Sequence, residues 1–152
     1  MPRMPLTDPI LRLLLATVFG AAIGLEREYR QKPAGLRTNI LIAVGSALFT
    51  LISIQLAHDG GTPDRVAAQI VTGVGFLGGG AILRSRTGVH GMTTAATIWV
   101  NAAIGMAAGA GALLMASAAT AITLVVLVVL PPIEEYFEKR EGFPHARSEI
   151  KQ

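Results

Sequence analysis

The chain has 152 residues, room for one domain, with 51% hydrophobic residues, only 15% charged residues and a mean hydropathy of +0.53. An average soluble domain carries about 25% charged residues, so this composition excludes an ordinary soluble fold. The absence of cysteine excludes disulfides and thiolate chemistry. The formal charge of +3 comes from basic residues that flank apolar segments, with no basic stripe interleaved by aromatics, so nucleic-acid binding is excluded as well.

Five apolar segments follow in order. The first is Pro9 to Leu25, short, with Arg12 near its start and able to snorkel to the interface. Asp8 and Pro9 interrupt the layout of a signal peptide, and further apolar segments follow, so it reads as a span. The second is Leu36 to Ala57. The third, Val66 to Leu83, contains "GVGFLGGGAIL", a letter-for-letter G-x-G-x-x-G. A dinucleotide turn needs an acidic residue about 20 positions on. None occurs between Asp64 and Glu134, so these glycines belong to a membrane helix. The fourth runs from about Met92 to Ala110 and the fifth from about Ala112 to Leu130. Only the glycine-rich stretch around Gly109 and Gly111 divides them, and Pro131-Pro132 is expected to end the last helix. The reading is an all-α polytopic helix bundle. Residues 1–131 form the transmembrane domain and 132–152 a short solvated tail, in which Glu134 to Glu141 can form an interfacial helix.

Lys and Arg give the orientation. Ten of the thirteen fall in the loop after the first span, the loop after the third, and the tail. An odd number of spans brings these together. The positive-inside rule then places the N-terminus outside and the C-terminus in the cytoplasm.

Polar residues inside spans are costly in lipid and therefore informative. Thr93, Thr97, Asn101 and Gly105 recur every four residues and share a helix face. Thr38, Asn39, Ser46 and Ser53 lie close to one face of the second span; Gln69, Gly73, Phe76 and Gly80 lie on one face of the third. A bundle with these faces inward is expected. They serve either helix packing or a polar path lined by Ser46, Gln69, Thr93, Thr97 and Asn101. Pairs four apart at Gly20/Gly24, Gly75/Gly79 and Gly105/Gly109 permit close helix crossings and self-association.

The loop "GLEREYRQKPAGLRT" is the densest polar feature, with Glu26, Arg27, Glu28 and Arg37 as candidates. It reads either as a topology determinant or as an interfacial site for a ligand or partner. Asp64 and Arg65 open the third span, where Thr62 or Asp64 suits an N-cap. There is no phosphate-loop pattern, no nucleophile elbow, and no metal spacing among His58, His90 and His145. The chain is expected to be no enzyme and to use no cofactor.

Three blocks in order, "GLEREYRQKPAGLRTNILIAVGSALFT", "DRVAAQIVTGVGFLGGGAIL" and "GVHGMTTAATIWVNAAIGMAAGAG", resemble the MgtC/SapB family of bacterial inner-membrane proteins. The resemblance spans about Leu11 to Leu130. Residues fitting the family pattern include Gly24, Glu26 to Glu28, Gly35, Arg37, Thr38, Asp64, Arg65, Gln69, Gly73, Gly75, Gly78, Gly80, Thr93 and Thr94. Gly79 and Met92 replace the usual alanine and leucine without changing the chemistry. The resemblance implies five spans in the cytoplasmic membrane and roles in growth at low magnesium, stress adaptation and modulation of the membrane ATP synthase. It also implies the short form, without the cytoplasmic ACT-like domain of longer members. A homodimer in the bilayer acting through protein contacts is the first expectation; transport of Mg²⁺ or another small solute is the alternative.

Overall fold

A computed structural model describes residues 7–57, 64–85 and 88–141. It contains five helices: α1 (Thr7–Tyr29), α2 (Leu36–Ala57), α3 (Asp64–Gly80), α4 (Met92–Gly109) and α5 (Leu113–Glu141). Each expected segment is a helix, and the molecule is an all-α membrane bundle. Helices α1, α2 and α5 contain stretches long and apolar enough to cross a membrane unaided. Helices α3 and α4, with 17 and 18 residues, reach about 26 Å, slightly less than the hydrocarbon core of about 30 Å.

Helix α2 explains the arrangement. Its buried residues include Asn39, Ala43, Ser46, Ala47 and Thr50, all small or polar. Most of its large apolar side chains, Leu41, Leu48, Phe49, Ile52 and Leu56, point outward, and Leu51 is the buried exception among the leucines. That is the reverse of a soluble helix. In lipid no hydrophobic force drives leucines inward, so close packing and hydrogen bonds select the interior face.

Helix α4 lies at the centre, packed on each of the other four helices. It runs parallel to α2 in strict register: Asn101 meets Asn39, Gly105 meets Ala43, and Gly109 meets Ala47. A Cβ at Gly105 would overlap the Ala43 carbonyl, and one at Gly109 would lie 2.5 Å from the Ala47 carbonyl oxygen. Helix α1 also crosses α2 closely, with Gly20 against Asn39 and Ala43, and Gly24 against Leu36.

Turn chemistry sets the boundaries. Gly111, at φ 81°, closes α4 with a Schellman motif, in which the Ala112 N–H bonds the Ala107 carbonyl and the Gly111 N–H bonds that of Ala108. The α4/α5 boundary thus falls inside the expected glycine stretch. Helix α1 ends in the same motif on Gln31, a non-glycine at φ 52°. Two short antiparallel strands that the sequence reading did not anticipate, β1 (Leu83–Ser85) and β2 (Gly88–His90), join α3 to α4.

The expectation that Pro131-Pro132 ends the fifth helix is corrected, because α5 continues through both prolines to Glu141. The prolines remove the N–H donors due to the Leu127 and Val128 carbonyls. Arg30 compensates for one of them, its guanidinium donating to the Val128 carbonyl at 3.2 Å. The cap expected at Thr62 and the tail beyond Glu141 lie outside the described residues.

Candidate functional site

The polar residues of the interior form two layers and one end clamp. The first layer is at the end of α1, where Arg27 is 4% exposed and donates to Thr94 Oγ1 at 3.0 Å. Thr94 occupies the first turn of α4, so this bond ties the end of α1 to the start of α4. The Arg27 Nε and Glu26 Oε2 are buried without a hydrogen-bond partner among the described residues. Glu26 Oε1 stands 2.7 Å from Arg30 Nε, an ion pair that lacks hydrogen-bond alignment. Its neighbour Glu28 is exposed and accepts the Leu36 N–H at 3.1 Å, capping α2.

The second layer lies further inside. Asn101 Nδ2 donates to the Asn39 carbonyl at 2.7 Å and to Asn39 Oδ1 at 3.1 Å. Asn39 Nδ2 in turn reaches back to the carbonyls of Ala34 and Gly35, which precede α2. Both asparagines are completely buried, and Asn101 Oδ1 has no partner among the described residues. At the far end of α1, Arg12 pairs with Asp8 at 2.8 Å and donates to the Gly109 carbonyl at 2.9 Å. A cation there suits the C-terminal end of α4. Arg12 is thus a clamp between helices as well as a snorkelling side chain.

The structure divides the remaining candidates. Thr97 is buried, but its hydroxyl only bonds back to the Thr93 carbonyl of its own helix. Thr93, Arg37, Thr38, Arg65 and Gln69 are exposed. Asp64 opens α3, and its side chain lies outside the described set. The expectation that all three small-and-polar faces point inward is therefore corrected for α3. Gln69 and Gly73 line an open groove, and Phe76 is 83% exposed. The proposed path is also divided: Ser46 and Gln69 line this groove, while Thr97 and Asn101 do not.

The glycines separate likewise. Gly20, Gly24, Gly105 and Gly109 make close helix contacts, and Gly78 touches Ala95 at 3.5 Å. Gly73, Gly75, Gly79 and Gly80 have nothing within 4 Å of the place a Cβ would take. As packing glycines within the chain these four are corrected, because among the described residues no helix covers them. Sequence reasoning missed the clamp role of Arg12 and the pairing of Asn39 with Asn101. The asparagine pairing had a signal, since an amide inside a membrane helix needs a partner on another helix.

The groove between α2 and α3 has a volume of about 660 Å³ and opens to the side of the bundle, with Ile70, Val74 and Ile98 at its base. Among the described residues no group of three acidic, histidine or cysteine side chains gathers to hold a metal ion.

The MgtC family model matches residues 13–136. The chain is 49% identical to "Protein MgtC" of Salmonella typhimurium over 128 residues, 84% of this chain and 54% of that protein. It is 50% identical over 127 residues to the "Putative magnesium transporter YhiD" of Escherichia coli K12, covering 79% of this chain and 59% of the relative. A Synechocystis protein of undescribed role, slr0014, is 44% identical over 133 residues, 88% of this chain and 56% of its own length. The chain therefore spans a little over half the length of these relatives. No solved structure matches it. With a buried polar register inside a lipid-facing bundle and a family match across most of its length, the chain belongs to the MgtC family of bacterial inner-membrane proteins.

Proposed function

We propose that the protein is non-enzymatic and works through contacts in the plane of the bilayer, as a homodimer, in adaptation to low magnesium or related stress. The supporting observation is the outer face of α3. Gly75 and Gly79 lie four apart with open space above both, beside the exposed Phe76. Such a face lets a second helix approach to backbone distance. A second copy fits best because the face is its own complement across a two-fold axis. The membrane ATP synthase, implied by the resemblance, is the other partner class. The N-terminus lies outside and the C-terminus in the cytoplasm, following the distribution of Lys and Arg.

Disulfide crosslinking in native membranes tests the dimer. Gly79→Cys is expected to give a dimer band, whereas Gly105→Cys, held against the Ala43 backbone, is expected to give none. Monomer bands alone for both Gly75→Cys and Gly79→Cys would sink the proposal.

Transport is the second reading, favoured by Ser46 and Gln69 sharing one groove and by the wording attached to the E. coli relative. Liposomes loaded with a magnesium-sensitive dye decide it. Protein-dependent Mg²⁺ entry that Gln69→Leu abolishes would replace the contact reading with this one.

A further inference from the structure

We infer that the groove between α2 and α3 binds one acyl chain of an anionic phospholipid, with the phosphate held at the end where Thr38 and Leu77 meet. Four observations lead there. The lining is apolar over most of its length, from Leu41 and Leu77 at one end to Phe49 and Val66 at the other. These residues face the surrounding lipid, Leu41 being 70% exposed and Phe49 55%.

The length fits one leaflet. The α2 wall runs from Thr38 to Phe49, about 16 Å at 1.5 Å per residue. Half of a hydrocarbon core about 30 Å thick is about 15 Å. A groove of this length, about as long as one leaflet is deep, takes one chain. Its volume of about 660 Å³ is also within the roughly 300–1,000 Å³ of small-molecule sites.

Charge decides which end holds the headgroup and which headgroup it is. Arg37 is exposed, one helical turn before Leu41 and so on the wall side of α2. Arg84 is exposed on β1, which begins three residues after α3 ends at Gly80. Thr38 adds a hydroxyl at the rim. The nearest acid in sequence, Glu28, is engaged with the Leu36 N–H. Arg37 and the Thr38 hydroxyl at this rim, with Arg84 exposed on the strand that follows α3, suit a phosphate with net negative charge better than a zwitterionic headgroup.

The floor has room for an occupant. Gly45 and Gly73 both line the groove, and a Cβ at either would meet nothing within 4 Å. Larger side chains there fill the groove while leaving the helix contacts of the bundle intact. This binding is independent of the dimer proposed above, whose glycines Gly75 and Gly79 lie on the opposite side of α3 from the residues that line the groove.

Native mass spectrometry of the full chain tests the inference, with release from micelles containing equal phosphatidylglycerol and phosphatidylcholine. One phosphatidylglycerol per chain is expected. Gly73→Leu and Gly45→Phe should abolish retention while leaving the thermal midpoint unchanged. Arg37→Gln and Arg84→Gln should each weaken it about fivefold, as expected from about 1 kcal/mol per basic residue. Equal retention of both lipids by the native protein would overturn the anionic preference. Undiminished retention in both groove-filled variants would overturn the site. Loss of the dimer in those variants with lipid retention unchanged would assign the groove to a second copy and likewise overturn it.

Discussion

Replacing Gly105 by Ala adds one methyl at the tightest contact between α2 and α4. The new Cβ would overlap the Ala43 carbonyl oxygen and stand 2.9 Å from the Ala43 Cα, whereas ordinary contact begins near 3.4 Å. The helices must part by roughly half an ångström at that level, and a gap of about 0.5–1 Å forfeits a quarter to a half of the local dispersion energy. The Asn39–Asn101 bonds lie one turn away, and interhelical bonds of this kind average about 0.6 kcal/mol. Overpacking costs about 1–3 kcal/mol, while Gly to Ala in a helix returns about 1 kcal/mol. Gly105→Ala should therefore destabilise the fold by up to about 2 kcal/mol, close packing outweighing propensity. Gly75→Ala supplies the control. It makes the same chemical change four residues from another glycine, but into open space, so only the propensity gain remains and the monomer should be unchanged or up to about 1 kcal/mol more stable. Reversible unfolding in mixed micelles, followed by the fluorescence of the single tryptophan, Trp99, at protein dilutions that keep the chain monomeric, compares the two. A midpoint for Gly105→Ala equal to or above that of Gly75→Ala would refute the reasoning.

Thr94→Val should cost about 1–3 kcal/mol in the same assay, because it strands the buried Arg27 guanidinium. Thr97→Val should be close to neutral, since that hydroxyl serves only its own helix; equal losses would mean that the Arg27–Thr94 bond contributes nothing. Asn101→Leu removes the donor to two acceptors on Asn39 and is expected to lower stability by about 1–2 kcal/mol; unchanged unfolding would contradict it. Gln31→Gly relieves a left-handed residue in the α1 cap and should stabilise the protein by up to about 1 kcal/mol, read as a rise in midpoint. Arg30→Gln withdraws the ionic donor from the Val128 carbonyl above Pro132, and faster amide exchange confined to α5 near the prolines is the expected readout.

Five apolar segments, their glycine-marked boundaries and the family pattern are visible in the residues alone, because lipid imposes length and hydropathy on each helix separately. The same local logic makes Asn101 stand out as an amide that needs a partner. Which partner it finds depends on the parallel register of α2 and α4. Pro131 and Pro132 misled the local reading, because the helix break they predict is offset from outside by Arg30, which bonds the Val128 carbonyl 98 positions away in sequence.

Glycine spacing shows the limit most clearly. Gly75/Gly79 and Gly105/Gly109 are the same motif on the page. Only tertiary structure placed one against the Ala43 and Ala47 backbone and left the other facing outward. A four-residue spacing guarantees that two glycines share a helix face. It does not say what lies opposite, since that depends on how the other helices pack around α4. The sequence by itself determined that this is a membrane bundle with small-residue faces. The assembled helices decided which faces are interior and which remain open to lipid or to a partner.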